Sequence, residues 1–197
     1  MSKASKTFRF QITSGKINLS DPCYTPDDPD AAVKCGEYGI LATNGEWIAE
    51  VEYMNDEDRV KSFTAELIGI PYTFYRAMDT EFCVDSGQFG IFDSEIYNPG
   101  DYDEPGFYRD CCDLTMTEDK CGVIYGRGFV SSSGWGDGGY AGRAKLNPAT
   151  GEMVAFGIDF CSEEDWENYD DGYGEQEDWT DDELINVDFL LNKEVMG

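Results

Sequence analysis

Short runs in which apolar and polar residues alternate recur along most of the chain and predict strands. Near the start, Phe8, Phe10 and Ile12 alternate with Arg9 and Gln11, the period of two expected when one face of a strand is buried. Further runs rich in β-branched and aromatic residues predict strands at 38–42, 47–51, 60–70, 82–85, 89–92, 123–125, 129–131, 140–146 and 153–160. The pattern predicts a mainly β fold, either a β-sandwich or a curled antiparallel sheet.

Turn residues between these runs predict how some of the strands pair. Asn44-Gly45 predicts a hairpin with a type I′ turn, because both residues tolerate the positive φ angles that this turn requires. Gly126-Arg127-Gly128 and Pro148-Ala149-Thr150-Gly151 predict two further pairs. Residues 20–34 and 93–121 read as long loops, the second with a short helix near 110–117.

The end of the chain differs from the rest and predicts a separate organisation. Residues 161–179 form an acidic stretch with interspersed aromatic rings. Thr180 and Glu183 fit a capping box for a following C-terminal helix, and apolar residues recur on one face of that helix up to Val195. We therefore expect a β-rich domain at 1–160, an acidic segment at 161–179, and a helix at 180–197 that docks on the domain.

Charge is the property that most narrows the choice of partner. Among 197 residues, 41 acids face 14 bases, for a net charge of −27. Such a surface repels phosphate backbones and anionic lipid, so it argues against direct binding of nucleic acid or membranes and favours a basic protein partner. A contribution to solubility alone, or a salt-rich habitat, is the alternative explanation.

The cysteine and histidine contents exclude several classes of site. The seven cysteines are odd in number and contain no C-x-x-C pair, and no apolar stretch has the length of a membrane span or of a signal peptide. These features predict free thiols in a cytoplasmic protein. Because the chain has no histidine, catalytic triads and the usual zinc sites are excluded, and no cofactor is predicted.

Three segments together resemble an uncharacterised bacterial and phage family, the domain of unknown function 4241. They are Ser20-Asp21-Pro22-Cys23-Tyr24, Val84-Asp85-Ser86-Gly87-Gln88, and the glycine-rich segment from Ser132 to Tyr140. A closing strand at 156–160 also fits, so the resemblance covers roughly residues 15–160. It implies a shared β-rich fold and a common site, without naming a reaction.

These segments supply one candidate site, for a small ligand or a divalent metal, with catalysis by its carboxylates as a further alternative. Asp137 could bind a cation or a hydroxyl group, and Trp135 could stack on a flat group. A tight turn whose aspartate caps its own backbone is the competing explanation. The candidate ligand-binding residues are Asp21, Tyr24, Asp85, Ser86, Trp135, Asp137 and Tyr140.

Other motifs carry weaker signals. Asp85-Ser86-Gly87 resembles the turn of aspartic proteases, although no second such turn exists to form a dyad. Acidic clusters at 27–30 and 101–104 could bind a divalent cation weakly, but neither matches an EF-hand loop. Cys111, Cys112 and Cys121 are expected to be buried structural thiols.

The acidic segment supplies the preferred hypothesis. Its carboxylates imitate phosphate charge, and its aromatic rings could anchor in a partner's pockets. We therefore expect a non-enzymatic protein that engages a basic, nucleic-acid-binding partner, and the phage members of the family suggest, by analogy, an inhibitor that counters host defence. The expected contacts are Glu163, Glu164, Asp165, Trp166, Asp170, Asp171, Glu177, Asp178 and Trp179.

Overall fold

Two antiparallel sheets and one helix make up the part of the chain that the structure describes. The structure is a computed structural model and describes residues 4–26, 36–54, 59–70, 76–100 and 105–161. The elements are β1 Lys6–Ile12, β2 Lys16–Ser20, β3 Glu37–Leu41, β4 Gly45–Tyr53, β5 Val60–Leu67, β6 Arg76–Val84, β7 Gln88–Asp93, α1 Phe107–Thr115, β8 Cys121–Ile124, β9 Gly128–Ser132, β10 Gly138–Leu146 and β11 Met153–Asp159. The mainly β fold predicted from the sequence is confirmed.

The strands divide between the sheets in an order that differs from their order along the chain. One sheet has six strands in the order β1-β4-β5-β11-β10-β6, and the other has five in the order β3-β2-β7-β9-β8. Four short connections cross from one sheet to the other, at residues 13–15, 42–44, 85–87 and 133–137. Two crossings therefore close each end of the sandwich.

A phenylalanine-rich core fills the space between the sheets. Phe63 of β5 lies 5.2 Å from Phe129 of β9, measured between ring centroids, and Phe82 lies 4.9 Å from Phe89 across the β6–β7 crossing. Aromatic pairs at these separations and tilts add to the free energy gained by burying their area. The core thus holds both sheets to one another.

A smaller core lies between the five-stranded sheet and α1. All six residues of β7 are buried, because this central strand is covered on both faces. Phe92 points to the second core, where its ring lies 5.1 Å from that of Phe107 of α1. Cys111, one turn further along α1, is buried in the same core.

The hairpin predicted at Asn44-Gly45 is wrong. The strands before and after it, β3 and β4, belong to different sheets, so the two residues form a crossing and not a turn within one sheet. Asn44 Oδ1 accepts a hydrogen bond of 2.7 Å from the Gly15 amide, which ties this crossing to the neighbouring one. Asn44 does not adopt the positive φ angle that a type I′ turn requires, and Gly45 already begins β4. A turn sequence carries no information about which sheet the next strand joins.

The remaining fold predictions have mixed outcomes. The β8–β9 and β10–β11 pairs are confirmed. The short helix expected near 110–117 corresponds to α1, which begins and ends a few residues earlier. Strand β2 was not predicted from the sequence. The predicted C-terminal helix lies outside the described residues. Within the described part, no helix has both the length and the apolar character needed to cross a membrane.

Candidate functional site

The three segments that resemble the family meet at one end of the sandwich. We call this end the β11 end, because β11 finishes there at Asp159. The register places the ends of β2, β6 and β9 at the same end, together with the starts of β5, β7 and β10. Two crossings, 85–87 and 133–137, lie there side by side. A local site can therefore draw residues from parts of the chain that are distant in sequence.

The Asp21 carboxylate joins the first segment to the second. The side chain is fully buried. Its Oδ2 accepts hydrogen bonds from the Asp85 amide (2.9 Å) and the Ser86 amide (2.7 Å), and its Oδ1 accepts from the Cys23 amide (2.9 Å) and Ser86 Oγ (2.5 Å). Buried carboxylates require such donors, because ionised groups lose their hydration on burial. Asp21 therefore fixes the 85–87 crossing and positions Ser86.

The glycine-rich segment is joined to the same crossing through its backbone. The Ser133 amide donates to the Gly87 carbonyl at 2.9 Å, and Gly138 pairs with Val84 at the start of β10. Within the segment, Ser133 Oγ and the Tyr140 hydroxyl both donate to the Gly136 carbonyl, at 2.6 Å and 3.0 Å. These bonds give the 133–137 crossing a defined shape.

Gly134 has a clear steric requirement within this crossing. Its φ angle is +63°, and a Cβ atom at this position would collide with the Val60 carbonyl and lie 2.7 Å from Cys161 Sγ. Only glycine meets both conditions without strain. The result is a tight contact between the 133–137 crossing and the start of β5.

The next residue, Trp135, is held outward at the surface. Its side chain is 39% exposed, and the guanidinium of Arg59 lies 5.0 Å from the ring centroid, a distance suited to a cation–π contact. Asp85 and Asp137 are exposed at the same end. Tyr140, by contrast, packs its ring 5.2 Å from that of Phe160, and burial raises its pKa.

A second group of polar side chains lies beside Asp21, and sequence reasoning did not single it out as a site. Gln88 Nε2 donates to Cys112 Sγ at 3.1 Å, and both residues are buried. Cys23, Ser86 and Tyr108 are half-buried around them. We call these five residues the Gln88 cluster. A usable signal is the four-residue spacing of Tyr108 and Cys112, which places both on one face of α1; the helix expected near 110–117 did not extend to Tyr108.

Two members of the Gln88 cluster, Cys23 and Tyr108, are held in their neutral forms. Burial, reinforced by the negative charge of Asp21, raises the pKa of Cys23 well above its usual value. Burial also raises the pKa of Tyr108, with further contributions from Cys112 and Cys23. These shifts do not activate a thiolate nucleophile at Cys23.

A second buried aspartate, Asp93, performs the corresponding role at the opposite end. Its Oδ2 accepts from the amides of Thr13 and Ser14, at 2.7 Å and 3.0 Å, and pairs with Arg127 at 2.9 Å. Burial alone would raise the pKa of Asp93, but the hydrogen bonds and Arg127 outweigh it and lower the pKa to about 2. Acid catalysis by a carboxyl group needs a shift in the other direction.

The structure brings together some of the residues predicted as sites and leaves others undescribed. Asp21, Asp85 and Ser86 are in direct contact, and the Tyr24 amide donates to the Asp21 carbonyl at 3.2 Å. Trp135 and Asp137 belong to the neighbouring 133–137 crossing, and Tyr140 lies just after it in β10. The turn that resembles that of aspartic proteases is the 85–87 crossing, in which Asp85 is exposed. Cys111, Cys112 and Cys121 are buried, as expected.

All nine residues predicted to contact a partner, Glu163 to Trp179, lie outside the described residues, as do the acidic clusters at 27–30 and 101–104. Among the side chains that are described, no group of three cysteine, aspartate or glutamate residues is arranged to hold a metal ion.

Comparison with known proteins gives no assignment: no family model, no curated protein and no solved structure matches the chain. The resemblance to the domain of unknown function 4241 family therefore stays a prediction. The function has to be argued from the residues and the geometry of this chain.

Proposed function

We propose that the protein is a non-enzymatic binding protein whose acidic segments engage a basic, nucleic-acid-binding protein by imitating nucleic acid. The observation that carries the proposal is the uneven distribution of charge along the chain. The described residues contain 18 acids and 11 bases, a net of −7. The remaining segments contain 23 acids and three bases, so most of the net charge of −27 falls on them.

Several charges of the described sandwich are paired with opposite charges. Arg9 pairs with Glu46, Arg143 with Asp159, and Lys145 with Glu66, at 2.7–3.0 Å. Lys6 pairs with Asp119, and Arg127 with Asp93 and Glu95. Such pairs contribute little to stability at an exposed surface, but they place opposite charges side by side, and the net charge of the described residues is only −7. Acidity needed only for solubility would have no reason to avoid the sandwich.

Three of the strongly acidic segments adjoin the β11 end. Residues 27–35 follow β2, residues 55–58 lie between β4 and β5, and residues 162–197 follow β11. Together they hold 20 acids and two bases. Negative charge concentrated in neighbouring segments attracts a basic surface more strongly than the same charge spread over every face. Trp135, exposed on the fixed 133–137 crossing, supplies an aromatic anchor beside this charge.

The proposal is tested by competition with DNA for basic proteins. A panel of purified bacterial DNA-binding proteins is loaded with a fluorescent duplex, and the full chain is added while anisotropy is recorded. We expect the chain to displace the duplex from at least one protein, and its affinity to fall at least tenfold between about 50 and 200 mM salt. Failure to displace the duplex from any protein, or an affinity that does not change with salt, contradicts the proposal.

Matched variants separate the acidic segment from net charge in general. Glu163→Gln, Glu164→Gln and Asp165→Asn remove three charges from the segment, and Glu50→Gln, Glu52→Gln and Asp113→Asn remove three exposed charges from the sandwich. The first triple variant is expected to weaken binding much more than the second. Equal weakening would assign the effect to total charge alone.

A small-ligand domain is the second candidate function. The observation that favours it is the contact of all three family-like segments at the β11 end, through Asp21 and Ser133. It predicts that a library of small metabolites contains a compound that raises the melting temperature of the full chain. The rise in melting temperature should disappear when Ser86 is replaced by alanine. Binding of a basic partner through the acidic segment should persist in the same variant.

A further inference from the structure

The Gln88 cluster contains a buried acceptor that lacks a partner. Gln88 is 5% exposed, and its Oε1 has no hydrogen-bond partner among the described residues, although its Nε2 donates to Cys112. A buried polar atom that has lost its hydration without gaining a hydrogen bond destabilises a fold. Exchanging the two amide atoms does not remove the problem, because the nitrogen would then take the position that lacks an acceptor.

Gln88 Oε1 is itself closed off from solvent, but the other members of the cluster include side chains that are only half-buried at the β11 end. Gln88 and Cys112 are buried at its base, whereas Cys23, Ser86 and Tyr108 around them are half-buried. Three separate parts of the fold supply these side chains: the residues after β2, the 85–87 crossing with the start of β7, and α1. A group that enters from solvent would meet polar atoms from all three.

The local field selects the charge of that group. Asp21 and Asp85 both act on Cys23, and Asp21 also acts on Tyr108, in each case favouring the protonated form. The same field repels anions and attracts cations. Because Cys23 and Tyr108 stay neutral, the cluster offers hydrogen-bond acceptors in a negative potential.

We propose that the Gln88 cluster binds a primary ammonium group, and that its occupant in the complex is a lysine side chain of the basic partner. The identity of the occupant rests on the proposed function, whereas the affinity for ammonium follows from the cluster itself. The ammonium group donates to Gln88 Oε1 and to the hydroxyl oxygen of Tyr108. Asp85, exposed beside the cluster, faces the incoming charge. The cluster thereby adds a specific contact to a largely electrostatic surface.

The ammonium site is tested by NMR on the isotopically labelled full chain. Nα-acetyl-lysine amide is the probe, and the side-chain amide resonances of Gln88 are followed. We expect a saturable shift with the probe. The Nε-trimethylated probe carries the same charge but has no N–H donor, and we expect it to give no saturable shift.

Two variants of the chain complete the test. Gln88→Met removes the acceptor at similar volume, and Gln11→Met makes the same change at an exposed position of β1. We expect saturable shifts of neighbouring backbone amides, such as that of Ser86, to vanish in Gln88→Met and to persist in Gln11→Met. Equal shifts with both probes, shifts that persist in Gln88→Met, or a bound water at Gln88 that the probe does not displace would each overturn the ammonium site.

The partner experiment separates this inference from the proposed function. We expect Gln88→Met to bind the basic partner about tenfold more weakly than Gln11→Met does, with the same dependence on salt. Unchanged partner affinity in Gln88→Met refutes the lysine assignment and leaves the electrostatic function standing. A saturable probe shift in a chain that binds no basic protein refutes the function and leaves the ammonium site standing.

Discussion

Replacing Asp21 by asparagine tests whether the carboxylate fixes the 85–87 crossing. The amide keeps one oxygen, which can satisfy the Asp85 and Ser86 amides. Its NH₂ group then takes the place of the oxygen that accepts from the Cys23 amide and Ser86 Oγ. Ser86 Oγ can rotate and accept instead, but the Cys23 amide cannot. The substitution therefore removes the ionic character of two bonds and leaves one donor facing another.

The magnitude follows from those losses. Hydrogen bonds to charged groups contribute about 1.5–3 kcal/mol each, and a buried donor left unsatisfied destabilises by about 1–3 kcal/mol. Since some relaxation accompanies the change, we expect Asp21→Asn to lower the free energy of unfolding by about 3 kcal/mol. For a chain of this size, that corresponds to a fall in melting temperature of about 10 °C.

The measurement is urea unfolding followed by fluorescence, with Asp85→Asn as the matched control. Asp85 is exposed, and only its backbone amide contacts Asp21, so its variant is expected to stay within about 0.5 kcal/mol of the parent. An unchanged m-value with a lower midpoint would locate the effect in the folded state. Equal stability of the two variants would refute the role assigned to Asp21.

Three further predictions concern other positions. The folded-state pKa of Asp93 is lowered to about 2 from an ordinary value of 3.8, so its ionised form adds about 2 kcal/mol to the free energy of unfolding above pH 4. This contribution is lost as the pH falls towards 2. The free energy of unfolding of Asp93→Asn, measured against pH, should lack that component. Gly134→Ala is expected to lower the free energy of unfolding by about 3 kcal/mol, because a positive φ angle and a collision with the Val60 carbonyl act together. Gly136 has a φ angle of +95° but open space around it, so Gly136→Ala should lose only about 1 kcal/mol in the same denaturation assay. Trp135→Ala should leave the melting temperature nearly unchanged and weaken binding of the basic partner about tenfold; unchanged affinity would remove this residue from the interface.

Local sequence signals predicted those parts of the fold that depend on neighbours along the chain. Gly126-Arg127-Gly128 joins β8 and β9, which pair directly, and the turn at 148–151 joins β10 and β11. Asn44-Gly45 has an equally good turn sequence, yet β4 pairs with β1 and β5 in the other sheet. That choice depends on which apolar faces meet in the core, a long-range property that turn residues do not encode.

The candidate site was predicted only in part for the same reason. The motifs containing Asp21 and Asp85 were recognised. The sequence does not indicate that the Asp21 carboxylate accepts a hydrogen bond from the backbone amide of Asp85, 64 positions further along the chain. Gln88 was recognised only as part of a motif. Its significance depends on α1 bringing Cys112 against its side-chain nitrogen while its oxygen stays without a partner.

The four crossings between the sheets have a consequence for how the protein acquires its structure. Neither sheet is built from one continuous piece of chain: the five-stranded sheet is complete only once β9 is made, and the six-stranded sheet only once β11 is made. During synthesis, the six-stranded sheet stays incomplete until β11 has left the ribosome, because β11 lies between β5 and β10 and pairs with both. Because distant strands have to meet before either layer is stable, folding is expected to be slow, in the millisecond-to-second range typical of β-sandwiches. Until then, the exposed strand edges are open to mispairing with other chains. Once the chain is released, its strongly negative C-terminal segment provides repulsion between copies that have not yet folded.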